Sequence, residues 1–249
     1  MVPIYSDKTK KQAITSFNDW YKYCPPAGKK KQWVPQRSAK ELARFWLSEE
    51  WQQDFIEYLS NNFPDIEIME AIPEYKTAFD QFKSPRQNDL CLFARHNGEE
   101  FLISIEAKSD ESFGEQTFEE AFEEGLNLLK PKPESGKFDR AVKLYTRFGM
   151  KKSLLKMRYQ LLHWLAGTIE EAKRQEIANV ILISQEFHSS ITKDKKIQQN
   201  FSDFNSFIFA ISDGQLMLEN QKKELIGEIS SPDYFRDGRI WLGRYVVDL

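Results

Sequence analysis

The sequence is poor in several residue types and patterns that would assign it to a specialised class. It has only two cysteines among 249 residues, Cys24 and Cys91, so neither a disulfide framework nor a zinc finger is expected. Its 11 Gly and 10 Pro exclude a collagen-like or low-complexity chain. It contains no run of 18 apolar residues and no signal-peptide core near Met1. We therefore expect no membrane partner and a cytoplasmic location.

The sequence also lacks an excess of charge of one sign, because 35 Lys and Arg balance 38 Asp and Glu to a formal net charge of −3. This balance excludes a uniformly basic coat protein but leaves room for a local basic surface. The motifs GxGxxG, GxxxxGK[ST], GxSxG and HExxH are absent, which removes the commonest nucleotide-binding, hydrolase and zinc-protease assignments. Hydrophobic residues make up 41% of the chain and aromatic residues 14%, enough for a sizeable core.

The order of apolar patterns predicts a mixed α/β domain. Residues 1–37 are expected to form an N-terminal arm with one helix near residues 10–23, and residues 38–249 the main domain. Ser38 and Glu41 match a capping box at the start of a helical tract that runs to residue 60. The remaining predicted elements, in chain order, are a strand at 65–72, helices at 115–129 and 138–173, a strand at 179–187, and a β-rich C-terminal extension from about residue 205 with strands at 207–211, 224–229 and 240–247.

The clearest local pattern is a hairpin within residues 89–108. Asn97-Gly98 is the dipeptide most typical of a two-residue hairpin turn, and apolar strands flank it. This turn places Arg95 opposite Glu100, a favourable pair of charges. One face of the hairpin then carries Leu90, Leu92, Ala94, Phe101, Ile103 and Ile105, and the other carries Cys91, Phe93, Leu102 and Ser104. Two apolar faces predict helices on both sides of the sheet.

The same register brings charged residues together where the hairpin opens. Asp89 should face Glu106, and Lys108 should project from the same face as Glu106. Facing carboxylates repel each other unless a cation joins them, and hard divalent ions prefer oxygen ligands. We therefore predict a metal site made by Asp89, Glu106 and the carbonyl of Ala107, with Lys108 orienting a water or stabilising phosphate charge. The alternative is a structural Asp–Glu–Lys salt-bridge cluster at a sheet edge.

The arrangement of Asp89 followed by Glu106-Ala107-Lys108 resembles the motif of the PD-(D/E)XK, or restriction-endonuclease-like, nuclease superfamily. The stretch Ser84-Pro85-Arg86-Gln87-Asn88-Asp89 supplies an approximate "PD". The order of elements over roughly residues 38–187 also resembles that superfamily's αβββαβ core, a mixed sheet flanked by helices. The resemblance implies Mg²⁺-dependent cleavage of nucleic-acid phosphodiesters, with Mn²⁺ as an alternative cofactor. The implied partner is nucleic acid, and DNA is favoured over RNA.

The resemblance also implies supporting positions outside the motif. Gln160 is similar to a glutamine that some branches place on the helix after the motif strand, and it joins the predicted catalytic set of Asp89, Glu106 and Lys108. Many members add an acid from the first helix, for which Glu41, Glu49 and Glu50 are the candidates. Their alternative roles are the capping box for Glu41 and a solvated helix face for the other two.

Basic residues between 139 and 160 predict where nucleic acid is held. The residues expected to contact phosphates are Lys143, Arg147, Lys151, Lys152, Lys156 and Arg158. Lys29 to Lys31 beside Trp33, and the lysines at 193–196, are candidates to extend this surface. An ordinary solvated helix face is the alternative for any one of these patches.

Two other functions remain open from the sequence. One is a nuclease-fold protein that has lost catalysis and serves as a binding or regulatory module. The other is a hydrolase or transferase acting on a small phosphate ester, although the sequence has no nucleotide-binding motif to support this function. A homodimer is compatible with each of these functions.

Overall fold

A single mixed β-sheet forms the centre of the protein. The structure, a computed structural model, describes residues 1–79, 85–229 and 231–249. Within them six strands follow the order β1-β2-β3-β4-β6-β5. The strands are β1 (Glu67–Thr77), β2 (Arg86–His96), β3 (Glu99–Lys108), β4 (Asn179–His188), β5 (Lys223–Ile229) and β6 (Arg239–Asp248). The β1–β2, β2–β3 and β5–β6 pairs are antiparallel, whereas β3–β4 and β4–β6 are parallel.

Helices cover both faces of the sheet, as the two apolar faces of the hairpin predict. The described helices are α1 (Phe17–Tyr23), α2 (Ser38–Trp46), α3 (Glu49–Ser60), α4 (Phe118–Leu128), α5 (Lys137–Arg147), α6 (Tyr159–Arg174) and α7 (Asp194–Ile211). Side chains of α1, α2 and α3 pack with Leu90, Leu92 and Ile103 on one face. Side chains of α4 to α7 pack with Cys91 and Leu102 on the other. The predicted mixed α/β class with a helix-flanked sheet is confirmed.

The hairpin of β2 and β3 has the predicted register. Leu90 pairs with Ile105 and Arg95 pairs with Glu100. Asn97 and Gly98 have φ values of 50° and 80°, as a type I′ turn requires. The turn therefore sets which residues meet at the opposite, open end of the hairpin.

The predicted capping box at Ser38 is wrong. Ser38 is the first residue of α2, the N-cap is Arg37, and no side chain caps this end. The Ser38 hydroxyl donates to Glu111, while Oε1 of Glu41 accepts a hydrogen bond of 2.7 Å from the backbone of Gln36. A capping box does occur at the start of α4, where Thr117 and Glu120 satisfy each other's backbone N–H groups.

The predicted strand at 207–211 is also wrong, because these residues form the last turn of α7. Phe204, Phe207 and Ile208 are fully buried and follow the spacing of one helix face. The other two strands of the predicted C-terminal extension are present as β5 and β6 and pair with each other. They belong to the central sheet, and β6 lies between β4 and β5.

The N-terminal residues pack against the sheet. Ile4 forms a parallel bridge with Ala71 of β1, and Val2, Ile4 and Trp20 are buried in the same core as α2 and α3. The predicted helix at 10–23 is the shorter α1, which is followed by a 3₁₀ turn at Lys29–Lys31. Among the described helices, none has the length and apolar character needed to cross a membrane.

Candidate functional site

A cleft of about 240 Å³ lies at the open end of the β2–β3 hairpin. It is lined by all four side chains that the sequence predicts to be catalytic, Asp89, Glu106, Lys108 and Gln160. The other charged or polar side chains in its lining are Glu74, Arg86, Gln87, Gln32, Ser38 and Glu111. Residues from β1, β2, β3 and α6 thus meet in one place, although they are far apart in the chain.

Glu106 is the centre of the hydrogen-bond network in this cleft and is only 3% exposed. Its Oε1 accepts from Nζ of Lys108 at 2.8 Å and from Nε2 of Gln160 at 2.5 Å. Its Oε2 accepts from the guanidinium of Arg86. Burial acts to raise the pKa of Glu106, but the charges of Arg86 and Lys108 outweigh burial and lower it overall. Glu106 is therefore a carboxylate at neutral pH.

Asp89 sits one step beyond the Leu90–Ile105 pair and reaches across to β3. Its Oδ2 accepts a hydrogen bond of 2.7 Å from the backbone N–H of Ala107. Burial, and then the nearby charge of Glu106, raise the pKa of Asp89 to about 7. Ala107 thus touches Asp89 through its N–H group, and the role of its carbonyl as a metal ligand stays a prediction.

Glu74 is a third carboxyl group in the cleft, which the sequence did not single out. It lies on β1 between Pro73, which pairs with Leu90, and Tyr75, which pairs with Asn88. Glu74 is therefore at the position across from Asp89 in the β1–β2 pair. Its carboxylate accepts a hydrogen bond from the side chain of Gln87. Burial, and then the charge of Asp89, raise the pKa of Glu74 to about 8.

Lys108 is nearly as buried as Glu106, with 5% of its surface exposed. Its ammonium group lies 5.2 Å from the centre of the Phe113 ring, in addition to its contact with Glu106. A buried ammonium needs such partners, because removing it from water is costly. Lys108 is therefore held at one position on the floor of the cleft.

Gln160 reaches Glu106 because α6 lies close to the sheet. A Cβ on Gly167 of this helix would stand 2.7 Å from Oγ1 of Thr77 and 3.3 Å from Cβ of Arg86. Only a residue without a side chain allows this approach. Tyr159, beside Gln160, stacks on Phe118 with ring centroids 6.1 Å apart.

Arg86 is the second residue of this site that the sequence did not assign. It lies within the approximate "PD" stretch, and its guanidinium forms a nearly buried ion pair with Glu106. Ser84, the first residue of that stretch, lies outside the described residues.

The three acids proposed from the first helical tract do not line this cleft. Glu41 is buried and accepts from the backbone of Gln36. Glu49 lies 3.7 Å from the N-terminal amino group, and Glu50 is exposed on α3.

Most of the predicted phosphate-binding tract already has partners in the protein. Arg147 pairs with Glu170, Lys151 with Asp213 at 2.5 Å and Arg158 with Asp203 at 2.8 Å. Lys143 lies over the ring of Phe79 at 5.5 Å, and Lys152 and Lys156 are exposed. The role of these six residues in nucleic-acid binding stays a prediction.

The donors in the cleft suit a hard divalent cation. The carboxyl groups of Glu74, Asp89, Glu106 and Glu111 outnumber the two cations, Arg86 and Lys108. Among the described residues, no three His, Cys, Asp or Glu side chains are close enough together to enclose an ion. Mg²⁺ does not require such a cage, because it is usually held by one or two carboxylates, waters and substrate phosphates.

Comparisons with known proteins give a family but no activity. No curated protein and no solved structure matches the chain. A family model described as a domain of unknown function, DUF6946, matches residues 13–231, which include every described residue of the cleft. The chain belongs to the DUF6946 family.

Proposed function

We propose that this protein is a metal-dependent nuclease that hydrolyses phosphodiester bonds in nucleic acid, with Mg²⁺ as the cofactor and Mn²⁺ as a substitute. The observation that carries the proposal is the meeting of Asp89, Glu106, Lys108 and Gln160 in one cleft. A purely structural salt bridge needs one acid and one base. It does not account for the additional carboxyl groups of Glu74 and Asp89 beside a buried lysine.

The fold supports the same proposal. A helical tract (α2 and α3), a meander (β1 to β3), intervening helices and a parallel strand (β4) follow the αβββαβ order of the PD-(D/E)XK superfamily. The acidic motif residues lie on the second and third strands of the meander, as the resemblance implies. DNA is the favoured substrate, and RNA is the alternative.

In the proposed reaction a water molecule gives up a proton and its oxygen bonds to phosphorus. The bond between phosphorus and one ester oxygen breaks, and this leaving oxygen takes up a proton. A bound divalent ion would polarise the phosphate and lower the pKa of water. Asp89 and Glu106 would hold the ion with their carboxylate oxygens, and Glu74 lines the same cleft. Lys108 would place its positive charge beside the phosphate, and Gln160 would keep Glu106 in position.

A second function is favoured by one observation, the contact between Arg86 and Glu106. A guanidinium at this carboxylate neutralises the charge that a metal ion would otherwise neutralise. The chain would then be a nuclease-fold binding module without catalysis. The two functions differ in whether the folded protein binds a divalent cation.

Thermal melts separate the two functions. We expect Mg²⁺ and Mn²⁺ to raise the Tm of the wild type above its value in EDTA, because only the folded state holds the site. Asp89→Ala should lose this rise. Asp237→Ala, which removes an exposed acid outside the cleft, is the matched control and should keep it. The absence of any rise in the wild type would favour the binding module.

Cleavage assays then test the activity itself. Wild type with Mg²⁺ should cut labelled DNA, whereas Asp89→Asn and Lys108→Met should be inactive while melting close to the wild type. Lys130→Met, at an exposed site outside the cleft, is the control for Lys108→Met. An active Lys108→Met variant would contradict the role given to Lys108.

A further inference from the structure

The segment of residues 25–39, here called the rim segment, forms one wall of the cleft. Pro26, Ala27, Gln32, Ser38 and Ala39 line it together with Glu106 and Lys108. Between Ala27 and Gln32 the chain makes a 3₁₀ turn of three consecutive lysines, Lys29 to Lys31. The basic turn is therefore flanked on both sides by residues that line the cleft.

The three lysines of this turn have their charges available. All are exposed, and none forms an ion pair with any residue that the structure describes. The predicted phosphate-binding tract differs, because Arg147, Lys151 and Arg158 are paired with acids. Lysines without protein partners can bind phosphates without first breaking an ion pair.

Aromatic side chains accompany the basic turn. Trp33 lies two residues after Lys31, is partly exposed, and packs on Tyr21 and Phe17 with ring centroids 5.4 and 6.4 Å apart. A basic groove with aromatic rings is the usual surface for single-stranded nucleic acid, because lysines follow the backbone and unpaired bases stack on rings. Duplex DNA offers no unpaired base for such stacking.

A second cavity adjoins the cleft. This cavity of about 430 Å³ shares Glu74 and Gln87 with the cleft and is also lined by Lys8, Tyr23 and Lys76. Pro25 lines this cavity and Pro26 lines the cleft, so the rim segment borders both. The two cavities are neighbours beside the candidate catalytic residues, an arrangement that suits an extended strand.

We propose that the rim segment binds a single strand of nucleic acid, with Lys29 to Lys31 contacting its phosphates and Trp33 stacking on a base. This inference rests on the nuclease function proposed above and specifies its substrate as single-stranded. The strand would lie along the two cavities and present one phosphodiester to Asp89 and Lys108. Single-stranded DNA and RNA share this chemistry.

Binding measured without cleavage tests the inference. The full-length protein in EDTA is titrated against labelled oligonucleotides of ~16 nucleotides, the upper end of common single-strand site sizes. The probes are single-stranded DNA, single-stranded RNA and duplex DNA. The triple variant Lys29→Gln, Lys30→Gln, Lys31→Gln should bind single strands about tenfold more weakly at low salt. Its salt dependence, d log K/d log[salt], should shrink by about 2, since each single-strand phosphate contact contributes ~0.7.

A control variant with the same change in net charge distinguishes binding by the rim segment from a general effect of the protein's charge. Lys130→Gln, Lys132→Gln, Lys173→Gln removes three exposed lysines that do not line either cavity and should bind like the wild type. Trp33→Ala should weaken binding with little change in salt dependence. Equal losses in the two triple variants, tighter binding of duplex than of single strands, or no binding of any strand would overturn the inference.

The failure of this inference and the failure of the nuclease function give different results. If single strands bind through the rim segment but no metal supports cleavage, the inference stands and the nuclease function fails. If the wild type cleaves but the Lys29–Lys31 variant binds and cleaves as well as the wild type, the nuclease function stands and the inference is overturned.

Discussion

The guanidinium of Arg86 contacts Oε2 of Glu106, the same carboxylate whose Oε1 accepts from Lys108 and Gln160. Both oxygens of Glu106 therefore have donors, and a metal ion that takes Oε2 must replace Arg86 or share the oxygen with it. In that case Arg86 acts as an internal cation that competes with the metal. The side chain of Arg86 is 11% exposed, so solvent screens this competition only weakly.

Arg86→Gln should therefore strengthen metal binding, because it frees Oε2 of Glu106. We expect a larger Mn²⁺-induced rise in Tm than in the wild type, measured by thermal melts over a metal titration. Arg95→Gln is the matched control, since its pair with Glu100 is exposed and outside the cleft. A smaller metal effect in Arg86→Gln than in Arg95→Gln would mean that Arg86 supports the site.

The metal-free protein should lose stability as the pH rises from about 5 to about 9. The pKa values of Asp89 and Glu74, about 7 and about 8, lie above those of the unfolded chain, about 3.9 and 4.3. At pH values between the unfolded and the folded pKa of each carboxyl group, the folded state holds more protons than the unfolded state. The free energy of unfolding therefore falls as the pH rises. Melts in EDTA across this range measure the fall.

Glu74→Gln identifies the source of this pH dependence. This variant cannot ionise at position 74, so its Tm should fall less steeply with pH than that of the wild type. Excess Mg²⁺ should reduce the fall in the wild type, because the ion replaces the protons on the carboxylates. A Glu74→Gln variant with the pH dependence of the wild type would remove Glu74 from the site.

Gln160→Ala should reduce cleavage about 10- to 100-fold, the usual cost of losing a side chain that orients a metal ligand. The hydrogen bond of 2.5 Å to Glu106 is the reason for this expectation. The pH–rate profile should also shift, because Glu106 loses a donor that stabilises its charged form. Gln175→Ala is the control. Gln175 lies at the other end of α6 and donates a hydrogen bond to Glu171, so this variant should change neither the cleavage rate nor the pH–rate profile. An unchanged pH profile in Gln160→Ala would make Gln160 a packing residue.

Gly98→Ala should destabilise the protein by about 1–2 kcal/mol, because its φ of 80° is unfavourable for a residue with a Cβ. No atom lies within 4 Å of the added Cβ, so crowding makes no contribution. Urea denaturation gives the change in free energy. Asn97→Gly, which relieves the positive φ at the neighbouring position, should not destabilise the turn to this extent. A neutral Gly98→Ala would show that the turn does not fix the register.

Three residues of the site, Asp89, Glu106 and Lys108, were predictable from sequence because of the hairpin. The Asn97-Gly98 turn sets the pairing of β2 with β3. Counting residues outward from this turn then predicts that Asp89 lies close to Glu106 and Lys108. Gln160 was found through the family resemblance, since no local pattern connects a helix residue to a strand more than 50 residues earlier.

Glu74 and Arg86 were missed for different physical reasons. The predicted strand ended at residue 72, just before Pro73, and so left out Glu74. However, β1 is an edge strand, where proline is tolerated because one side of the backbone needs no partner. Arg86 has no distinctive spacing, and its role follows from a contact with a residue 20 positions away.

The error at 207–211 arose from a short apolar run that suits a strand and a helix equally well. The buried positions 200, 204, 207 and 208 show the helical period only when the preceding polar turns are included. Short apolar runs are ambiguous in this way because a buried helix and a buried strand both place apolar residues in the core.

The position of β6 between β4 and β5 has a consequence for how the chain is made. Asn179 pairs with Arg239, so β4 is synthesised about 60 residues before its second neighbour. During that interval its backbone N–H and C=O groups form an open edge that can pair with another nascent chain. Closing such a distant pair is also slow. Aggregation during synthesis should therefore depend on how quickly β6 follows β4, and on any chaperone that shields this edge in the meantime.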